Sequence, residues 1–106
     1  MKRGQIWWAE LPLPSGRRPV VLVSRPAAYD VRVNLIVAEI SRTRRDLPSE
    51  VALSKADGMP VACVVNTDNV VTVPRTWLKT KLCQLSATKL AALDEALAFS
   101  LGLEQC

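Results

Sequence analysis

Short apolar and β-branched runs, separated by turn residues, occupy most of this chain. Runs of this length bounded by Gly, Pro, Asn and Asp are typical of β-strands. We therefore predict six or seven short strands, at residues 5–11, 19–24, 33–40, 50–53, 62–66, 69–73 and 81–85. The intervening segments are predicted as loops and turns: a loop at 26–30, a basic loop at 41–48, a turn around Asp57-Gly58 and one helical turn at 74–77.

The C-terminal stretch has a different period. After Ser86, a good N-cap residue, leucines recur at positions 90, 93, 97 and 101, and Gly102 stands where a helix C-cap belongs. This spacing predicts one amphipathic helix over residues 87–101, with the leucine stripe facing the core.

Several short strands followed by one helix predict a mainly β fold. We expect a small SH3-like barrel, built from a strongly bent antiparallel sheet, with a C-terminal helix. A chain of 106 residues fits one domain, residues 1–106, around one core. A barrel of this kind that only binds partners, without chemistry, is an alternative at this stage.

Composition restricts the chemistry further. The chain contains no histidine, the commonest general acid–base and metal ligand, so Ser–His and Cys–His nucleophile pairs are excluded. Cys63, Cys83 and Cys106 are widely spaced and form neither a disulfide framework nor a zinc-binding pair. We expect no cofactor and no metal, and any catalysis must use Arg, Lys, Ser, Thr, Asp or Glu.

Positive charge is clustered along the chain. The net charge is only +4, but Lys2-Arg3, Arg17-Arg18 and the segment 42–45 are basic clusters without an acidic residue. This distribution permits an anionic partner. No apolar run is long enough to span a membrane, and the N-terminus lacks the apolar core of a signal peptide. We expect a cytoplasmic protein without a membrane partner.

The segment GRRPVVLVS places two arginines at the entrance of a strand predicted to be buried. Proline disfavours the helical region in the preceding residue, so Arg18 should be extended at this entrance. A guanidinium held there presents a planar set of donors suited to phosphate oxygens. The alternative is a solvated arginine in a surface turn.

Hydroxyl groups and cations also follow the third predicted strand. Ser41 comes directly after VNLIVAEI and is followed by Arg42, Thr43, Arg44 and Arg45. Hydroxyls among cations at a strand end suit a phosphate, and the repeated arginines favour nucleic acid. A polar loop with solvated charges is the alternative.

Two other features are candidate binding elements. In VVNTDNVVT, Asp68 and Asn69 interrupt an apolar pattern, so they either read base edges or form an ordinary Asx turn. Trp7 and Trp8 are consecutive and must point to opposite faces of a strand. One should lie in the core, whereas the other could stack on a base.

Five segments, taken in order along the chain, resemble the MazF/PemK family of type II toxin–antitoxin endoribonucleases: RGQIWWAEL, RRPVVLVS, IVAEIS, VVNTDNVVT and LCQLSATKLAALDEALAFSLGL. The resemblance extends from Lys2 to Leu103, and the short segment PLPSGR together with the TRR segment is most similar to some actinobacterial MazF proteins. It implies the CcdB/PemK type of barrel, a homodimer, and sequence-specific, metal-independent cleavage of single-stranded RNA. It also implies a MazE-like antitoxin whose C-terminal tail covers the RNA groove.

The resemblance carries site residues as well. It implies that Arg18 and Ser41 are the catalytic pair, with Ser41 where threonine is commoner. Contacts with RNA are expected from Arg17, Arg42, Thr43, Arg44, Asp68 and Asn69. The 2′-hydroxyl of RNA would attack the adjacent phosphorus, which leaves a 2′,3′-cyclic phosphate and a 5′-hydroxyl and stops translation and growth.

Two alternatives belong to other functional classes. A CcdB-like toxin shares the barrel but inhibits gyrase by binding a protein, and it would not need Arg18 and Ser41. A non-catalytic barrel that binds RNA would keep the basic surface without cleavage. Cleavage of RNA that survives EDTA and is lost in Arg18→Ala distinguishes these alternatives from a nuclease.

Overall fold

The computed structural model describes residues 1–103 of the chain. It contains six strands: β1 (Gln5–Glu10), β2 (Arg17–Leu22), β3 (Asn34–Ser41), β4 (Glu50–Leu53), β5 (Cys63–Pro74) and β6 (Leu78–Gln84). There are two helices, α1 (Ala28–Val31) and α2 (Ala87–Leu101), and 3₁₀ turns at Lys55–Asp57 and Arg75–Trp77. No helix in this part of the chain is long and apolar enough to cross a membrane.

The strands form one antiparallel sheet in the order β4-β5-β3-β2-β1-β6. Register shifts in the β1–β6 and β3–β5 pairs mark where the sheet curls strongly. The predicted mainly β fold, a bent antiparallel sheet with a C-terminal helix, is confirmed.

Strand β5 corrects one detail of the prediction. The predicted strands 62–66 and 69–73 are a single strand, in which the register jumps from Asn66 opposite Glu39 to Val70 opposite Ala38. Thr67, Asp68 and Asn69 therefore form a bulge. The bulge is stabilised because the buried Thr67 hydroxyl lies 2.7 Å from the Ser49 carbonyl oxygen, 3.2 Å from that of Ala96 and 2.6 Å from Ser100 Oγ.

The segment 26–30 was predicted as loop, but Ala28–Val31 forms the short helix α1. Tyr29 explains why this helix forms, because its ring is buried and its hydroxyl donates a hydrogen bond to the Ser24 carbonyl oxygen at 3.0 Å. Long-range contacts also order this turn, because the Tyr29 ring packs in the core and the Arg75 guanidinium donates to the Tyr29 and Arg32 carbonyl oxygens.

Helix α2 agrees with the prediction in both bounds and caps. Ser86 Oγ accepts the Lys89 backbone N–H, and Gly102 adopts the left-handed conformation at φ 70°. Leu93 and Ala96 are buried against the sheet. Leu101, predicted to complete the core stripe, is instead 59% exposed.

The core has two parts, one on each face of the sheet. The first lies under α2 and includes Ile6, Val21 and Leu93. The second lies under α1 and includes Val20 and Tyr29. We call the two sides of the sheet the α2 face and the α1 face, and adjacent residues on a strand point to opposite faces.

Candidate active site

Arg17 and Arg18 begin strand β2 and point to opposite faces of the sheet. Arg18 pairs with Ala9 and precedes Val20 by two residues, and both of these belong to the α1-face core. Arg17 lies across the strand pair from Trp8, with its guanidinium carbon 4.5 Å from the centre of the Trp8 ring. The two arginines of the sequence cluster therefore have different surroundings.

Arg18 is partly buried and ion-paired. Its Nη1 lies 3.5 Å from Glu39 Oε1, and the Glu39 side chain is only 18% exposed. Its Nε is buried and has no hydrogen-bond partner among residues 1–103. A buried donor without a partner is energetically costly. The guanidinium is thus positioned by a carboxylate, and the Arg18 side chain is still 36% exposed.

Ser41 is the last residue of β3 and lies near Arg18. In the β2–β3 pair, Val20 faces Glu39 at the last paired position, and Arg18 and Ser41 each lie two residues beyond it on their strands. Ser41 Oγ accepts a hydrogen bond from the Thr43 backbone N–H at 3.1 Å. Because this bond uses a lone pair of the oxygen, the hydroxyl hydrogen is free to be donated to a ligand.

A cavity of about 380 Å³ contains Arg18 and Ser41 in its wall, at the edge of the sheet where β2 begins and β3 ends, so residues that point to both faces of the sheet line it. Four chain segments line it: Trp8; Arg17, Arg18 and Pro19; Ile40, Ser41 and Arg42; and Met59, Pro60, Val61 and Cys63. Among these lining residues of the described part of the chain, three are arginines and none is acidic. The volume falls within the usual range of small-molecule sites. A site that combines cations, a hydroxyl and apolar walls can bind a phosphate together with an attached organic group.

The basic loop after β3 contributes unequally. Arg42 lines the cavity and Thr43 contacts Ser41 through its backbone. Arg44 is instead paired with Asp46, with Nε 2.6 Å from Oδ1, in an exposed part of the loop. The arginine cluster of the sequence is therefore divided between the site and the solvent.

Asp68 and Asn69 do not line this cavity. Both are exposed in the β5 bulge, where the Asp68 backbone N–H donates to Asn66 Oδ1 at 3.0 Å. The bulge removes these two residues from the regular hydrogen-bond pairing of β5 with β3. Their place in the fold therefore could not be predicted from their spacing in the sequence. Asn66 itself pairs with Glu39 and therefore lies on the α1 face with Arg18.

Glu39 and the segment Met59–Val61 were not among the site residues predicted from the sequence. The position of Glu39 two residues before Ser41, and hence on the same strand face, was the only available signal for it. Met59–Val61 follows a turn that ends in Gly58 at φ 99°, and no motif links this turn to the arginines. Only the folded sheet brings it beside β1 and β2.

The two cysteines in the described part of the chain are not nucleophile candidates. Burial raises the pKa of the Cys63 thiol in the cavity wall and of the nearby Cys83 thiol, so both stay protonated near neutral pH. Neither forms a disulfide. Among residues 1–103, no group of three or more His, Cys, Asp or Glu side chains is placed to hold a metal ion.

Comparison with known proteins identifies the family. The family described as PemK-like, MazF-like toxins of type II toxin–antitoxin systems matches residues 2–101. The chain belongs to this family. It is 37% identical over 103 residues to a probable endoribonuclease MazF2 of Mycobacterium tuberculosis, covering 96% of this chain and 99% of the relative. It is also 38% identical over 96 residues to a probable endoribonuclease MazF5 of the same species, covering 90% and 87%.

Solved structures agree with this MazF-family assignment. A mycobacterial endoribonuclease in complex with its cognate antitoxin has a TM-score of 0.88 and 27% identity, covering 100% of this chain and 99% of that one. The Mycobacterium tuberculosis toxin MazF-mt6 has a TM-score of 0.87 and 31% identity, covering 95% and 99%. The expected MazF/PemK fold is confirmed.

Proposed function

We propose that this MazF-type toxin is a metal-independent endoribonuclease that cleaves single-stranded RNA at the cavity containing Arg18 and Ser41. The observation that carries the proposal is the convergence of these two residues in one cationic cavity of a chain that has no histidine. We further propose that the 2′-hydroxyl of the RNA is the nucleophile, so the protein itself supplies no attacking group.

In the proposed reaction, the O2′–P bond forms as O2′ loses its proton, and the P–O5′ bond breaks as O5′ gains one, leaving a 2′,3′-cyclic phosphate and a 5′-hydroxyl end. Negative charge accumulates on the non-bridging oxygens in the transition state. The Arg18 guanidinium stabilises that charge, and the free hydroxyl hydrogen of Ser41 donates to one of these oxygens. Glu39 holds the guanidinium from the side at 3.5 Å.

The remaining predicted contacts take graded roles in this proposal. Arg17 and Arg42 line the cavity and bind the RNA backbone beside the scissile phosphate. Thr43 orients Ser41 through its backbone. Arg44, Asp68 and Asn69 lie outside the cavity and contact only nucleotides further along the strand.

Partners follow from the same proposal. We place the toxin in the cytoplasm as a homodimer, where an antitoxin neutralises it by laying an acidic C-terminal tail over the RNA groove. Support comes from the three arginines of the cavity and from the related mycobacterial structure described as a complex with its cognate antitoxin.

The test is incubation of the purified protein with a long single-stranded RNA, with and without EDTA. We expect discrete cuts in both conditions and 5′-hydroxyl ends. Ser41→Ala should lose on the order of a hundredfold in rate, whereas Ser41→Thr should retain most activity because it keeps the hydroxyl. RNA that stays intact with the wild-type toxin would contradict the proposal.

A second Arg-Pro pair provides a matched control. Arg25 precedes Pro26 as Arg18 precedes Pro19, but it is exposed and does not line the cavity. Arg25→Ala removes the same charge in the same dipeptide context and should leave cleavage unchanged. Inhibition of gyrase supercoiling without RNA cleavage would instead favour the CcdB-like alternative, and RNA binding without cleavage would favour a non-catalytic barrel.

A further inference from the structure

Three sulfur-containing side chains converge on the α2 face of the sheet: Met59, Cys63 and Cys83. Cys83 pairs with Ile6 of the α2-face core, so its side chain points to that face. Cys63 lies two residues before Val65, another member of this core, and therefore points the same way. We call these three side chains the sulfur cluster.

The separation of two of the sulfur atoms suits a shared metal ion. The Met59 sulfur lies 3.7 Å from Cys83 Sγ. Metal–sulfur bonds are about 2.3 Å long, so an ion bonded to both sulfurs at this separation has a sulfur–metal–sulfur angle of about 110°. This angle belongs to trigonal and tetrahedral coordination, and the two side chains can therefore chelate an ion where they lie.

We propose that the sulfur cluster binds one soft monovalent cation, Cu(I), through the Met59 thioether and the Cys63 and Cys83 thiolates. Thiolate and thioether sulfurs are the ligands that select Cu(I). On binding, three copper–sulfur bonds form and each thiol releases its proton to water. Neither the metal nor a sulfur atom changes its oxidation state.

Cys63 lies close enough to Cys83 for the two thiols to interact. Burial raises the pKa of the Cys63 thiol, and the neighbouring Cys83 and Asp57 raise it further, whereas Arg42 acts in the opposite direction. Cys63 is only 7% exposed and shares the cavity wall with Met59. Negative potential that disfavours a bare thiolate favours a cation that neutralises it. The surroundings of the cluster therefore suit a cation.

The turn that carries Met59 is fixed against Cys83. At Gly58, with φ 99°, an added Cβ would lie 2.7 Å from Cys83 Cβ, so the turn requires glycine there. Just before it, Asp57 Oδ2 accepts the Ser54 backbone N–H at 2.9 Å in a capping box. The thioether is thus positioned before an ion arrives, and little conformational entropy is lost on binding.

The set of ligands discriminates between cations. Zn²⁺ in structural sites takes four ligands, and these are thiolates, imidazoles or carboxylates. The chain contains no histidine, and residues 1–103 hold no group of three or more Cys, Asp or Glu side chains placed for a metal ion. Two thiolates and a thioether suit Cu(I) instead, because its sites can be completed by three sulfur atoms.

Occupancy of the cluster should also oppose RNA cleavage, and this consequence rests on the proposed function. Met59 and Cys63 share the cavity wall with Arg18 and Ser41. Two thiolates and one monovalent cation form a complex with one net negative charge. Negative charge in the wall repels the RNA phosphate, so bound Cu(I) should inhibit the nuclease.

The first experiment titrates Cu(I) alone into the reduced protein without oxygen, in competition with a chromophoric Cu(I) chelator. The protein carries Cys106→Ser, which removes the cysteine outside the described residues and should leave binding unchanged relative to wild type. We expect one Cu(I) per chain, with X-ray absorption showing sulfur ligands at about 2.3 Å. Zn²⁺ should bind more weakly by about tenfold or more. Loss of all Cu(I) to the chelator, or loss of binding on Cys106→Ser alone, would overturn the inference.

Variants of the three side chains identify the ligands. Cys63→Ser and Cys83→Ser should each weaken Cu(I) binding by about a hundredfold or more, because a hydroxyl replaces a thiolate. Met59→Leu preserves the volume of the core and should weaken it by about tenfold. This conservative variant should fold even if a cysteine variant does not, as thermal unfolding will show. Unchanged Cu(I) affinity in Met59→Leu would contradict a three-sulfur site.

Cleavage assays connect the cluster to the nuclease. Equimolar Cu(I) should inhibit the Cys106→Ser protein and leave the Cys83→Ser/Cys106→Ser protein uninhibited, since Cys83 does not line the cavity and its loss removes only the ion. Equal inhibition of both proteins would show that Cu(I) acts elsewhere. If the protein without Cu(I) makes no cuts, the proposed function fails, and the titration still decides whether the sulfur cluster binds the cation.

Discussion

Arg17 and Arg18 are identical and adjacent, yet the fold gives them opposite surroundings. Arg18 lies on the α1 face, partly buried and 3.5 Å from Glu39, whereas Arg17 is exposed on the α2 face over the Trp8 ring. The difference arises from strand alternation alone. Two adjacent basic residues in a strand therefore lie in two different environments, and the half-buried Glu39 partner distinguishes Arg18 from Arg17.

The most direct way to break this comparison is to remove each arginine in turn. Arg18→Ala should lower kcat on the order of 10²–10³-fold, because it removes a charge that acts mainly in the transition state. Arg17→Ala should change kcat little and raise KM a few-fold, because it removes a contact made equally in the ground state. Single-turnover cleavage measures both. Equal effects of the two substitutions would contradict the distinction.

Glu39 sharpens the comparison, since only Arg18 has this partner. Glu39→Ala should lower kcat on the order of tenfold, because the guanidinium loses its fixed position. This effect on kcat should largely disappear in an Arg18→Ala background, as expected of coupled residues. Additive losses in that double-mutant cycle would show that Glu39 does not act through Arg18.

Thr67 tests whether the β5 bulge on the α2 face stabilises the fold rather than taking part in cleavage. Its buried hydroxyl bonds to Ser49, to Ala96 and to Ser100 of α2. Thr67→Val should lower the free energy of unfolding by about 1–3 kcal/mol, since it removes the buried hydroxyl that bonds to these three groups. Urea unfolding measures this, and cleavage by the remaining folded protein should be unchanged. A loss of kcat at full stability would assign the bulge to catalysis instead.

Tyr29 provides the corresponding test on the α1 face, with the smallest expected effect. Burial raises its pKa from 10.0 to about 12. Because the folded value is above the unfolded one, this contribution to stability is complete below pH 10 and is lost as the pH rises from about 10 to 12. Tyr29→Phe should flatten the stability curve in that window, measured by thermal unfolding. An identical alkaline slope in both proteins would refute the assignment.

Local features were predictable from the sequence because they depend on neighbouring residues. Ser86 and Gly102 set the ends of α2, and the Trp7-Trp8 pair had to straddle the sheet. The resemblance to the MazF/PemK family supplied Arg18 and Ser41, and the structure sets both in one cavity wall. Helix α1 was missed, because a buried tyrosine rather than local propensity holds it in place.

What only the tertiary structure decided depends on pairing between distant segments. The register of β2 against β3 gave Arg18 its carboxylate, and the jump in register between β3 and β5 moved Asp68 and Asn69 out of the cavity. The cavity joins Trp8 to a turn around Met59 that is remote in sequence. The order of residues along the chain determines where strands form and where the helix is capped. The hydrogen-bond register between strands determines which side chains share a site.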